Sequence, residues 1–136
     1  MTVALVEGCL GGKTEAMTTE LHGLRTVIYP AADLAASKAW WSTFLGFDPY
    51  FDEPFYVGFN IAGYELGLLP DADLRDGAQA YWGADDVAAA MAAAIGSGAT
   101  VLAPASDVGE GIVTATVKSP DGSVVGFIYN PHFSAH

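Results

Sequence analysis

The fold is decided by two matching stretches, AADLAA at residues 31–36 and ADDVAA at residues 84–89. In each, an aspartate precedes an alanine-rich apolar run, and aspartate is a preferred helix N-cap because its carboxylate accepts hydrogen bonds from the first turn. Glycines follow both runs, Gly46 after the first and Gly96 and Gly98 after the second, where a helix is expected to stop. The sequence therefore predicts two helices, each inside one copy of a repeated unit.

Short runs rich in β-branched and aromatic residues flank both predicted helices and are typical of strands. Each unit has one such run before its helix and three after it. The runs lie at residues 24–29, 49–52, 55–61 and 64–69 in the first unit and at 79–84, 100–103, 112–118 and 124–130 in the second. The order β-α-β-β-β occurs twice, and we expect two sheets of four strands, each with a helix on its outer face.

Length and composition indicate one domain without a membrane span. The chain has 136 residues, of which 51% are hydrophobic, enough for one buried core. We expect a flexible lead at residues 1–20 and a single domain at residues 21–132. One cysteine, Cys9, excludes an internal disulfide. With no secretory signal and no apolar run near the roughly 20 residues of a membrane span, a cytoplasmic protein without a membrane partner is expected.

The charge balance is strongly acidic. Sixteen acidic and five basic residues give a formal net charge of -11. Nucleic acid is therefore not expected as a partner, because phosphate backbones require a basic surface. The acidity has two interpretations: it keeps an apolar chain soluble, or it favours cationic ligands.

Four segments of the sequence carry a resemblance to a known family. They are TVIYPAADL at 26–34, FLGF at 44–47, YELGL at 64–68 and SPDG at 119–122. In order and spacing they resemble the glyoxalase/bleomycin-resistance/dioxygenase group, the vicinal oxygen chelate superfamily, over about residues 22–131. The resemblance implies an α+β fold in which two βαβββ modules, at about 22–70 and 78–131, form a curved mixed-sheet cup with helices on the outer face. It also implies a homodimer and a small-molecule ligand.

In that superfamily a divalent metal is commonly held inside the cup by residues of the first and last strand of each module. The corresponding positions here are Thr26, Glu65, Gln79 and Gly126. Only Glu65 matches the usual histidine or glutamate; an amide oxygen of Gln79 binds a hard cation, but Thr26 is a poor ligand and Gly126 has no side chain. The resemblance thus implies a degenerate metal site. We expect no cofactor, and a divalent metal at Glu65 is the alternative.

Side-chain alternation along the strands predicts which residues face the cup. If the apolar alternates pack under the helices, the opposite face is a mixture of polar, aromatic and small residues. The predicted ligand-binding residues are Thr26, Ile28, Tyr56, Asn60, Glu65, Gln79, Tyr81, Thr114 and Gly126. Four glycines share this face, and we interpret them either as room for a ligand or as relief of sheet curvature: Gly58, Gly67, Gly83 and Gly126.

Two functions are compatible with these features. One is a non-catalytic protein resembling the bleomycin-resistance branch, which sequesters a cationic or aromatic compound through tyrosines and the acidic charge. The other is an enzyme of the same superfamily, a lyase, isomerase or dioxygenase, with Glu65 as the candidate catalytic residue, either metal ligand or general base.

Residues outside the predicted cup are given structural roles. Trp40 and Trp41 are assigned to the core and an interface, and the apolar surface of a half-cup this small favours a homodimer. His132 and His136 are assigned to a frayed C-terminal tail.

Overall fold

The computed structural model describes residues 20–133, and the predicted lead at 1–20 lies outside this range except for Glu20. The first module comprises strand β1 (Leu24–Pro30), helix α1 (Leu34–Leu45) and strands β2 (Phe51–Glu53), β3 (Tyr56–Ile61) and β4 (Tyr64–Leu69). After a short 3₁₀-helix at Leu74–Asp76, the second comprises β5 (Gln79–Gly83), α2 (Val87–Gly96), β6 (Thr100–Gly109), β7 (Ile112–Lys118) and β8 (Val124–Tyr129). Across residues 20–133, no helix is long and apolar enough to cross a bilayer.

All eight strands join one mixed sheet, in the order β2-β3-β4-β1-β5-β8-β7-β6. Within each module the first strand pairs in parallel with the last, β1 with β4 and β5 with β8, and the other pairs are antiparallel. The expectation of two separate sheets is wrong, because β1 and β5 pair antiparallel and fuse the modules through their first strands. The predicted α+β fold of two βαβββ modules is confirmed.

The two helices begin at the predicted N-caps. The carboxylate of Asp33 accepts a hydrogen bond from the amide of Ala36 at 3.1 Å, and Asp86 accepts one from Ala89 at 3.0 Å. Helix α1 ends at Gly46, whose φ of 86° is left-handed and suits glycine. Because the same capping bond recurs 53 residues later, the sequence repeat corresponds to a structural repeat.

Each module has its own apolar core between its helix and one face of the sheet. In the first, Val57, Phe59, Leu66 and Leu68 are buried and pack with residues of α1. In the second, the buried residues include Val87, Ala90, Ala115, Val117 and Phe127. Leu66 and Leu68 are only 6% and 1% exposed, as alternation predicts for the helix side of β4. The opposite face of the sheet is therefore left free for a site.

Several boundaries differ from the sequence expectation. Strand β6 extends to Gly109 rather than 103, because an edge strand tolerates Pro104 and the register irregularities along it. Phe55, the first residue of the run predicted at 55–61, lies in the turn before β3 and is 60% exposed. On α1, Trp41 packs against the core, whereas Trp40 is 58% exposed and stacks on exposed Phe44 at 5.1 Å.

Candidate functional site

A cavity of about 330 Å³ lies at one end of the face opposite the helices. Strands β1, β3 and β4 contribute its polar floor, and the turn between β6 and β7 and the C-terminal tail contribute its rim. The lining residues are Arg25, Thr26, Tyr50, Asn60, Gly63, Tyr64, Glu65, Glu110, Ile112, Asn130, His132 and Phe133. Both modules therefore contribute to one small concave site.

The floor is built by strand register. Thr26 of β1 is paired with Glu65 of β4, and Glu65 is paired with Asn60 of β3, so the three side chains form a row across neighbouring strands. On the other side of β1, Thr26 is paired with Tyr81, which is paired with Gly126. Gln79 lies two residues before Tyr81 on β5 and shares its face, so Thr26, Glu65, Gln79 and Gly126, which correspond to the superfamily's metal positions, lie on one face of the sheet.

Glu65 is hydrogen-bonded by two tyrosines. The hydroxyl of Tyr50 donates to Oε1 and the hydroxyl of Tyr56 donates to Oε2. The pKa of Tyr56 is raised by burial and by the negative charge of Glu65, and that of Tyr50 by desolvation of its hydroxyl and by its bond to Glu65. Both phenols are therefore protonated donors at neutral pH, and each carboxylate oxygen of Glu65 already has a partner.

Two of the cup-face glycines are covered by tyrosine side chains of this chain. A Cβ at Gly67 would lie 2.1 Å from the hydroxyl oxygen of Tyr56, and a Cβ at Gly126 would lie 2.5 Å from the ring of Tyr81. Neither distance is compatible with an alanine in place of the glycine unless the tyrosine moves. These glycines seat the chain's own aromatic rings, a role that neither sequence interpretation included.

Arg25 is a cavity residue that strand alternation missed. The pairing of β1 with β5 shifts register between Leu24 and Thr26, and this irregularity brings Arg25 onto the cup face beside Thr26. Its guanidinium carbon lies 3.9 Å from the ring centroid of Phe133. A Cβ at Gly83 would lie 2.8 Å from Nε of Arg25, so this third glycine makes room for the arginine stem.

The C-terminal tail closes the rim of the cavity. Nε2 of His132 lies 3.0 Å from the carbonyl oxygen of Glu110, and the amide of His132 donates to the side chain of Asn130 at 2.8 Å. The ring of Phe133 packs edge-on against Tyr64 at 5.4 Å. The assignment of His132 to a frayed tail is wrong, and the Asn-Pro-His sequence, typical of a turn, was the available signal. His136 lies outside the described residues.

The structure brings only part of the predicted ligand-binding set into the cavity. Thr26, Asn60 and Glu65 line it, and the side chain of Asn60 also accepts a hydrogen bond from the amide of Gly63 at 2.8 Å. The other six predicted residues do not line this cavity: Ile28, Tyr56, Gln79, Tyr81, Thr114 and Gly126.

The residues at the superfamily's metal positions do not fit a metal. Both oxygens of Glu65 accept from tyrosines, the ring of Tyr81 covers Gly126, and Oε1 of Gln79 accepts from the hydroxyl of Tyr81 at 3.4 Å. Within residues 20–133 there is no group of three or more His, Cys, Asp or Glu residues placed to hold an ion. We derive no chemistry through a metal from this donor set.

Comparison with known proteins gives no match by sequence family but clear matches by structure. No protein-family model and no curated protein matches the sequence. Methylmalonyl-CoA epimerase from Streptomyces coelicolor, in complex with 2-nitronate-propionyl-CoA, has a TM-score of 0.67 at 18% identity, over 82% of this chain and 99% of that one. A glyoxalase/bleomycin resistance protein/dioxygenase superfamily member from Vibrio splendidus 12B01 has a TM-score of 0.61 at 18% identity, over 78% and 97%.

A third similar structure belongs to an enzyme with a different activity. It is an NAD-dependent benzaldehyde dehydrogenase from Legionella pneumophila, with a TM-score of 0.59 at 16% identity over 76% of this chain and 96% of that one. Identities this low, joined to such different activities, show a shared fold and not a shared reaction. On the strength of its paired βαβββ modules and these similarities, the chain has the vicinal oxygen chelate fold.

Proposed function

We propose that this chain is a small-molecule-binding protein of the glyoxalase/bleomycin-resistance type, and that it takes an aromatic organic compound into its 330 Å³ cavity. The observation that carries the proposal is the cavity itself, whose volume lies at the lower end of the range for ligand pockets, roughly 300–1,000 Å³. The rings of Tyr50, Tyr64 and Phe133 offer stacking surfaces, and Thr26 and Glu65 supply polar groups.

Binding is favoured over catalysis by the state of Glu65. A general base needs a carboxylate oxygen within reach of the substrate proton, and both oxygens of Glu65 accept from tyrosines. The one histidine among the lining residues, His132, is engaged with the backbone of Glu110. The lining residues within 20–133 include no serine or cysteine, and Thr26 supplies the aliphatic hydroxyl among them.

The geometry supports an aromatic ligand better than a cationic ligand. The carboxylate of Glu65 already accepts hydrogen bonds from Tyr50 and Tyr56, which weakens its attraction for a cation, whereas the rings of Tyr64 and Phe133 line the cavity as stacking surfaces. The overall charge of -11 then serves mainly solubility. The cavity is also small, so the compound that we propose is a single-ring or fused-ring metabolite.

An enzyme that uses Glu65 is the second candidate. One observation favours it: Tyr50, which donates to Oε1, is 62% exposed and lies in the loop before β2, where an incoming substrate would be able to displace it. Displacement would free one oxygen of Glu65 for proton transfer in a lyase or isomerase reaction. This function requires turnover of a bound compound, and it requires that Glu65→Gln abolish turnover while preserving binding.

A thermal-shift screen of aromatic metabolites, followed by calorimetry on the hits, tests the proposal. Tyr64→Ala is compared with Tyr29→Ala, because the two tyrosines are similarly exposed, 41% and 37%, and each packs on one other ring. Only Tyr64 lines the cavity. We expect Tyr64→Ala to weaken binding by about 3- to 10-fold, with little effect of Tyr29→Ala.

Equal effects of the two substitutions would place the ligand outside the cavity and contradict the proposal. Mass spectrometry of each hit after incubation with the protein separates the two functions. An unchanged compound supports binding, and a product whose formation is lost in Glu65→Gln establishes the enzyme.

A further inference from the structure

We propose that the compound bound in the cavity carries a carboxylate, and that Arg25 is the residue that selects it. This inference rests on the proposed binding function and names the chemical class of its ligand. It concerns a residue that lies outside the superfamily positions Thr26, Glu65, Gln79 and Gly126.

Arg25 is held in place by three features of the fold. The irregularity between Leu24 and Thr26 turns it onto the cup face, Gly83 leaves space for its stem, and the ring of Phe133 stacks on its guanidinium group at 3.9 Å. A guanidinium that is stacked through its face keeps its N–H edge available for a planar, bidentate partner. The side chain is thus preorganised, which reduces the ordering entropy lost when a ligand binds.

Within residues 20–133, Arg25 is the one lysine or arginine that forms no ion pair with a residue of the same range. The range 20–133 contains four lysine and arginine residues, and Lys38, Arg75 and Lys118 each form an ion pair with an aspartate at 2.7, 2.8 and 3.5 Å. Arg25 has no carboxylate within ion-pair distance among the described residues, although the chain has a large excess of acidic groups. A half-buried cation without a partner in the wall of a cavity is a binding group for an anion.

The neighbouring charges favour a carboxylate over a phosphate ester. Glu65 and Glu110 line the same cavity as Arg25. A phosphate monoester, which carries nearly two negative charges at neutral pH, is repelled by these side chains more strongly than a singly charged carboxylate. The aromatic rings at the rim then receive the apolar part of the molecule. An aromatic or arylalkyl carboxylic acid fits the site, because its carboxylate can pair with Arg25 and its ring can pack on the aromatic rim.

The experiment measures binding of matched compounds to the full-length protein by calorimetry. The compounds are benzoate, phenylacetate and indole-3-acetate, each with its neutral amide, and phenyl phosphate and phenethylamine as probes of charge. The variants are Arg25→Gln, Arg25→Lys and the control Arg75→Gln, which removes the same charge from an exposed site, 90% accessible at its side chain. Circular dichroism verifies that each variant is folded.

We expect the wild-type protein to prefer an acid over its amide, and Arg25→Gln to weaken the acid by about 10-fold or more while changing the amide little. Arg25→Lys retains the charge without the planar fork and is expected to fall between the two. Arg75→Gln should match the wild type.

The possible failures are distinguishable. If amides, amines or phenyl phosphate bind as well as the acids, or if Arg25→Gln and Arg75→Gln behave alike, the carboxylate inference is overturned and the binding function stands. If Arg25→Gln unfolds, the acid-to-amide preference of the wild type and its reduction in Arg25→Lys decide the question: an unchanged preference in Arg25→Lys overturns the role of the planar guanidinium. If neither these compounds nor the wider screen saturates the wild-type protein, the binding function and the inference are both overturned.

Discussion

Gly67→Ala is the sharpest test of how the cup face is packed. The added Cβ would lie 2.1 Å from the hydroxyl oxygen, 2.6 Å from Cζ and 2.8 Å from Cε1 of Tyr56, far inside van der Waals contact. Tyr56 must move, and it then loses its hydrogen bond to Glu65. Overpacking costs about 1–3 kcal/mol, and a lost hydrogen bond to a charged group about 1.5–3 kcal/mol. We expect the free energy of unfolding to fall by about 2.5–6 kcal/mol.

The assay is a double-mutant cycle with Tyr56→Ala, measured by urea unfolding and tryptophan fluorescence. In the Tyr56→Ala background the obstructing ring is absent, and replacing a strand glycine by alanine should then be neutral or stabilising by about 0.5–1 kcal/mol. Gly126→Ala is the matched control, because its added Cβ would lie 2.5 Å from the ring of Tyr81 rather than Tyr56, so it should destabilise the protein equally in both Tyr56 backgrounds. An equal loss from Gly67→Ala in both backgrounds would refute the role assigned to Tyr56.

The remaining predictions concern pH, metal and assembly. The fold raises the pKa of Tyr56, so the contribution of this residue to the free energy of unfolding is fully present below the ordinary tyrosine pKa of about 10 and declines as the pH rises beyond it. The free energy of unfolding of Tyr56→Phe should therefore fall less steeply at alkaline pH than that of the wild type. Elemental analysis after dialysis should find far less than one transition metal per chain, and a stoichiometric metal lost in Glu65→Ala would contradict this. Light scattering at micromolar concentration should give a dimer that Trp40→Ala and Phe44→Ala weaken; a 14.1 kDa wild-type species would contradict it.

Local signals in the sequence predicted the elements well. The caps at Asp33 and Asp86 depend on hydrogen bonds within one helical turn, so the sequence around each aspartate contains the whole interaction. The burial of Leu66 and Leu68 follows from alternation within a single strand. Local signals did not predict that β1 pairs with β5 and joins the two modules, because this pairing is between strands that are distant in sequence.

The errors at the site have a common physical cause: they depend on register between strands that are distant in sequence. Alternation places Arg25 on the helix side of β1, and only the irregular pairing with β5 brings it to the cup. The cup glycines were interpreted as free space because the sequence does not reveal which side chain lies across a given position. Tyr81 covers Gly126 through the pairing of β5 with β8, 45 residues apart in the chain.

The two tyrosine–glycine pairs also bear on which part of the cup face stays open. Tyr56 hydrogen-bonds Glu65 and covers Gly67, while Tyr81 covers Gly126. Tyr56 therefore engages the carboxylate at one of the superfamily's metal positions, and Tyr81 covers another. What remains open is the end of the cup where Arg25 is seated. Our proposal of an aromatic acid as ligand rests on this guanidinium and on the aromatic rings that line the same end of the cup.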